Sequence, residues 1–220
     1  MLRVKIILMS VIIGITGGSG SGKTTFTEQM AATLNKAKNG SCIILPQDAY
    51  YHDRSGIPAD QLNQINFDHP DAIDFELLSV QLHALKRGSD VERPAYSYLT
   101  CTRSRQGVLV KPADFILLEG MFVLHDARIV RLLDFSVFLD AAREVRLMRI
   151  IRRDTAERGR TETEVRERFS GTVDPMHSLF VEPQRKRAEI VIKHKNTTEN
   201  IDACLQLFQK KLNAESRNEK

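Results

Sequence analysis

The 220-residue sequence contains no tryptophan, and aromatic residues make up only 6% of it. No aromatic-plus-basic repeat occurs, so nothing suggests a base-stacking surface for nucleic acid. Cysteine is scarce too: Cys42, Cys101 and Cys204 lie far apart, odd in number and without metal-ligand spacing. That argues against a disulfide framework and a thiolate metal site, and it suits reduced thiols in the cytoplasm. No apolar run reaches the ~20 residues a membrane-spanning helix needs. The opening MLRVKIILMSVIIG imitates a signal peptide, but it leads straight into a glycine-rich stretch, and cleavage there would remove a strand that stretch needs. Met9 is a second candidate start; were it used, residues 1–8 would be an extension. Strong charge imbalance is also missing: 32 basic and 28 acidic residues give a formal +4. So small a surplus favours anionic small ligands without implying nucleic acid.

What is present reads as globular. The chain is 42% hydrophobic and 27% charged, and its length suits one α/β domain over residues 1–220. Short runs rich in Ile, Val, Leu and Phe occur at 10–16, 41–46, 114–119, 134–139 and 189–192. They barely alternate, as strands buried on both faces do. Helical patterns fall between them at about 23–38, 74–87, 141–157 and 197–213. Alternating β and α elements imply a five-stranded parallel sheet flanked by helices. Residues 91–111 break the pattern and predict a β-hairpin outside the sheet; ESRNEK at 215–220 is expected to fray.

Residues 17–25 read GGSGSGKTT, which fits G-x-x-x-x-G-K-[ST] between a buried strand and a helix. Gly17, Gly18, Ser19, Gly20, Ser21 and Gly22 let the backbone N–H groups curl around phosphate oxygens, and the helix N-terminus adds a positive dipole end. Lys23 is expected to reach the β- and γ-phosphates, with Thr24 on Mg²⁺ and Thr25 completing the ATP site. The motif is shared by many nucleotide enzymes. No N-K-x-D guanine reader is present, and FSGTV at 169–173 is not an LSGGQ-like signature. A short chain with an arginine-rich segment suits a small-molecule kinase with a lid.

Ligand groups in parallel sheets sit beyond the carboxyl ends of strands. Asp48, just after the second strand, is therefore placed to take a proton from an attacking hydroxyl or to help hold Mg²⁺, or it is a simple cap. Glu119 ends FILLEG and suits a Mg²⁺-water ligand. Residues 143–180 read as a lid, its arginine-rich part at 143–160; Arg146, Arg149, Arg153 and Arg160 have spacings that can share one helix face. The bland alternative is a solvated face with pairs such as Asp154 and Arg158. In FDHPDAID, Asp68 could bridge two sugar hydroxyls, Asp71 or Asp74 could cap a helix, and His69 reads as structural. Tyr96 and Tyr98 either face a flat base or cover an apolar edge.

Taken together, GGSGSGKTT, QDAYYHD, NFDHPDAID, PAYSYLTCTR, ILLEG and RDTAERGR resemble the uridine/cytidine kinase family, which is related to phosphoribulokinases. The resemblance runs from about residue 10 to 192 and implies a nucleoside-monophosphate-kinase-like P-loop fold. It implies ATP- and Mg²⁺-dependent phosphorylation of the 5′-hydroxyl of uridine or cytidine in pyrimidine salvage, by a homo-oligomer, typically a tetramer, often inhibited by CTP or UTP. By the same resemblance Asp48 is the base, Tyr51 and Asp68 lie at the nucleoside, Tyr96 lies beside its base, and Arg153, Arg158 and Arg160 belong to the lid and substrate contacts. Four departures stand out. Cys101 replaces a histidine of the base-reading hairpin, Ile150 an arginine near the sugar, Arg168 a glutamine, and Lys193-His194-Lys195-Asn196 a PRGG motif. The first three fall where nucleoside contacts are expected, none on the phosphate machinery. Another small alcohol or a sugar phosphate is the alternative substrate, since the charge of Arg168 would suit an anion. A non-catalytic nucleotide-binding regulator is a third reading, which intact Lys23, Thr24, Asp48 and Glu119 oppose.

Overall fold

The sheet strands are apolar on both faces because helices cover both. In the computed structural model, which describes residues 9–36, 41–58, 61, 65–98, 100–193 and 197–218, five parallel strands form one sheet. They are β1 (Val11–Gly17), β2 (Cys42–Pro46), β7 (Phe115–Gly120), β8 (Phe135–Asp140) and β9 (Ile190–Lys193), in the order β2-β7-β1-β8-β9. Alternate residues serve two cores. Ile12, Ile116 and Leu118 pack with Leu78, Leu82 and Leu85 of α2 (Phe75–Lys86). Ile13, Ile15 and Leu117 pack with Phe26 and Met30 of α1 (Lys23–Lys36) and with Ile201 and Phe208 of the last helix. Each such fully buried side chain contributes ~1.5–3 kcal/mol. All five strands fall where the apolar runs predict them. The arginine-rich segment after β8 and the hairpin both bring residues to the carboxyl end of the sheet.

The predicted hairpin is two short antiparallel pairs in one ribbon, interrupted at Pro94-Ala95. β3 (Val91–Arg93) pairs with β6 (Val108–Val110), and β4 (Tyr96–Ser97) with β5 (Thr102–Arg103). A short α3 (Ala127–Val130), capped by Asp126, was not evident from periodicity. The arginine-rich helix α4 spans Arg143–Glu157 and stops before Gly159, whose φ of +63° no continuing helix adopts. Thr161 and Glu164 then form a capping box that starts α5 (Glu162–Arg168). Helical turns of π, α and 3₁₀ type continue from Phe169 to Lys186. The last helix, α6 (Thr197–Asn218), runs past residue 213 into the segment expected to fray. Residues 1–8 and three residues of the PRGG-equivalent stretch, His194-Lys195-Asn196, lie outside the described residues. The cysteines are free, and among the described residues no helix is long and apolar enough to cross a membrane.

Candidate active site

Parallel strands deliver their carboxyl ends to one edge, and the residues that follow them meet there. Gly17 ends β1, Asp48 lies two residues beyond β2, and Glu119 near the end of β7 is in register with Pro46 of β2 and Ile15 of β1. A cavity of about 500 Å³ opens at this edge. At one end it is lined by Ser19, Gly20, Gly22, Lys23, Thr24 and Thr25. At the other it is lined by Tyr51, Phe67, Asp68, Tyr96, Tyr98 and Cys101. Asp48, Glu119 and Met121 line it too, and Arg149, Arg153, Arg158, Arg160 and Arg168 also contribute. Gly17, Gly18 and Ser21 shape the loop without lining the cavity.

The loop's curl depends on glycine where φ turns positive, at +75° for Gly20 and +93° for Gly22. A Cβ on Gly20 would stand 2.6 Å from the Arg146 carbonyl oxygen, so the loop packs directly under α4. From above, Arg149 Nη1 donates to the carbonyls of Gly20 and Ser21 at 3.2 and 3.1 Å. Lys23 Nζ donates to the Gly18 carbonyl at 3.3 Å. The first turn of α1 carries no acid, which leaves its positive end uncompensated and fit for an anion.

Glu119 is 8% exposed, and its Oε2 is buried with no hydrogen-bond partner. Burial pushes its carboxyl up, while nearby Lys23 and the Thr24 hydroxyl pull it down. An orphaned buried carboxylate oxygen beside a hydroxyl is a donor set that a hard divalent cation satisfies, and Mg²⁺ takes few protein ligands when phosphates and water complete its shell. Among the described residues no cluster of three or more His, Cys, Asp and Glu forms a self-sufficient metal cage.

The arginines are ordered by a residue that sequence reasoning had only as a surface partner. Asp154 is fully buried. Its carboxylate takes Arg153 Nε at 2.8 Å, Arg160 Nη1 at 2.8 Å and Arg158 Nη1 at 3.5 Å. Burial alone would raise its pKa, but the Arg153 hydrogen bond and the three guanidinium charges outweigh that and hold it below the usual carboxylate range. The expected single arginine face is therefore corrected in two ways. Arg160 lies beyond the end of α4 and reaches the cavity through Asp154. Arg146 turns away from the cavity: it is 3% exposed, bound to Asp174 at 2.9 Å and set over the Phe169 ring.

At the other end, Asp68 is buried and paired with Arg168 at 2.5 Å. Burial raises the Asp68 carboxyl, and Arg168, Arg153, Arg158 and Arg160 oppose that. The charge of Arg168 is thus met within the chain, which removes its expected role as a surplus cation for an anionic substrate. Ile150 is a second correction. It is 2% exposed in a small core with Val165, Phe169 and Val173, because its face of α4 turns onto the segment from α5 onward, and it does not line the cavity. Cys101 does line it, at φ +55°, with Sγ 3.8 Å from the Tyr98 carbonyl. Tyr51 is nearly buried and spends its hydroxyl on the Phe67 carbonyl at 3.1 Å. The rings of Tyr96 and Tyr98 lie 5.3 and 6.1 Å from it. Asp74 caps α2 through Leu77 N at 3.0 Å, and His69 accepts from Asp71 N at 3.2 Å, as structural residues.

His177, in the helical turns after α5, packs against the glycine loop. A Cβ on Gly18 would lie 2.6 Å from His177 Nδ1, and His177 Nε2 stands 3.6 Å from Glu182. Burial, with Arg146 adding to it, lowers His177 from 6.5 to about 4, against weaker opposition from Glu182 and Asp174. Between those values the unfolded chain holds more protons than the folded one. Neutral His177 therefore contributes its stability fully above pH 6.5 and loses it as the pH falls toward 4, a span worth about 3 kcal/mol at most. His177→Asn is expected to lessen the fall in urea-unfolding stability between pH 7 and pH 4.5; an unchanged pH slope contradicts this.

A family model for phosphoribulokinases and uridine kinases matches residues 12–200. The uridine kinase of Lactobacillus helveticus is 42% identical over 182 residues, covering 83% of this chain and 85% of that protein. The uridine kinase of Bacillus cytotoxicus is 43% identical over the same length, covering 83% and 84%. The phosphoribulokinase of Rhodobacter spheroides shares the fold at a TM-score of 0.66 and 15% identity, over 86% of this chain and 72% of that one. By its family match and by these relatives, the chain belongs to the phosphoribulokinase/uridine kinase family.

Proposed function

We propose that the protein transfers the γ-phosphoryl group of ATP to the 5′-hydroxyl of uridine or cytidine. The observation that carries this reading is that one cavity is lined by a phosphate-binding loop, by an aromatic, acidic pocket and by Asp48, which accepts a hydrogen bond from Tyr98 of that pocket. The relatives named uridine kinase supply the substrate class. The loop amides and Lys23 hold the β- and γ-phosphates. Asp48 takes the proton as the alcohol oxygen bonds to γ-phosphorus and the bond to the β-phosphate oxygen breaks, releasing ADP. Thr24 and Glu119 would hold Mg²⁺, which when bound neutralises phosphate charge. Arg149, Arg153, Arg158 and Arg160 steady the transferring group, the role that makes α4 and α5 a lid. Tyr51, Tyr96, Tyr98 and Cys101 enclose the base, while Asp68 with Arg168 faces the sugar. Free thiols suit a cytoplasmic enzyme of pyrimidine salvage.

The sugar-phosphate alternative has lost its main support, because Asp68 already answers the charge of Arg168. Release of ADP from ATP, with uridine, cytidine, other nucleosides and sugar phosphates offered separately, tests the choice. Turnover of uridine or cytidine well above the rest is expected. Silence with both and activity on a sugar phosphate overturns the proposal.

A further inference from the structure

The hairpin carries a group whose position base recognition does not explain. Tyr98 Oη donates to Asp48 Oδ2 at 2.5 Å, across fifty residues of sequence. Its ring lies edge-on to Tyr51 and Tyr96 at 6.1 and 5.5 Å, and the Arg158 guanidinium sits 5.7 Å above it. Three neighbours thus flank a ring that is otherwise half exposed, and the hydrogen bond to Asp48 anchors its phenol. Among the described residues no other side chain donates to the Asp48 carboxylate, so Oδ1 stays free for a further hydrogen bond. A phenol that donates a hydrogen bond to one oxygen of a carboxylate holds that carboxylate in one rotation. Burial and the Asp48 charge push the Tyr98 hydroxyl well up, so it remains a donor at neutral pH.

We infer that Tyr98 is a positioning residue for Asp48. It clamps Oδ2 so that Oδ1 points at the alcohol whose proton it takes, and it ties the hairpin that closes over the base to the geometry of phosphoryl transfer. The inference rests on Asp48 being the base, as proposed above. A hydroxyl that merely packed, or read the nucleobase, would act on KM. A hydroxyl that orients the base acts on kcat, because a misplaced base loses rate in the transition state.

The test compares the wild type, Tyr98→Phe, Asp48→Asn and the double variant, with whichever of uridine and cytidine the wild type turns over faster. Tyr98→Phe keeps the ring and its stacking, so folding and base contacts persist. Its kcat is expected to fall about ten- to a hundredfold, the range for a hydrogen bond to a charged group, with nucleoside KM within about threefold. In the Asp48→Asn background the same change is expected to cost nothing further. Wild-type kcat in Tyr98→Phe beside a crippled Asp48→Asn overturns the inference and leaves the base standing. So does a loss undiminished in the Asp48→Asn background, or a faster Tyr98→Phe, which would mark the phenol as a plug over the base. Full turnover in Asp48→Asn alone overturns the base assignment itself, and the positioning role with it.

Discussion

Asp48→Asn is expected to bind ATP as the wild type does and to turn over 10²- to 10⁴-fold more slowly, the range a positioned general base supplies. The reason is location. Asp48 lies outside the loop that holds the phosphates, and no side chain of that loop hydrogen-bonds to it. Asparagine keeps the shape and an acceptor oxygen for Tyr98, but it has no basic carboxylate to receive the alcohol proton. Titration of ATP by calorimetry and steady-state ADP release measure the two halves separately. Weakened ATP binding with a normal limiting rate would place Asp48 at the phosphates instead.

Asp154→Asn is expected to damage both stability and rate, although Asp154 does not line the cavity. The substitution leaves Arg153, Arg158 and Arg160 crowded around a buried amide with no counter-charge. Losing the carboxylate's charge-assisted hydrogen bonds costs about 1.5–3 kcal/mol, less than a fully buried pair would, because the three guanidiniums are 34–38% exposed and solvent screens them. The three guanidiniums then repel one another, and the arrangement proposed to steady the transferring phosphoryl is lost. A fall in kcat/KM of about 10²-fold or more is expected at temperatures where the variant remains folded, since preorganised charge is what such a site contributes. A melting temperature and kcat/KM both close to wild type would contradict the hub role of Asp154.

Much of this was legible in the sequence, for physical reasons. Strands covered on both sides must be apolar at successive positions, so β1, β2, β7, β8 and β9 announce themselves. The phosphate loop declares itself by glycines that only a folded-over backbone requires. Strand-end placement then located Asp48 and Glu119 without knowledge of the topology. What stayed hidden depends on direction and on long-range pairing. The run RLMRIIRRD is compatible with several helical faces, and only the docking of α5 and the segment after it decides that Ile150 packs inward and Arg146 is buried. Asp68 with Arg168, and Asp48 with Tyr98, join residues 100 and 50 apart in sequence, which no local pattern encodes. The helical turns from Phe169 to Lys186 contain Gly171, Pro175 and Pro183, residues that obscure helical periodicity.

The most direct measurement is the site of phosphorylation in the product. ATP and uridine or cytidine would be incubated with the protein, and the nucleotide formed would be examined by proton-coupled ³¹P NMR, with Asp48→Asn as the blank. The account requires a 5′-monophosphate, its phosphorus split by the two 5′-methylene protons, and almost none in the blank. A phosphate on another oxygen, or no nucleoside monophosphate while a sugar phosphate is consumed, would contradict it.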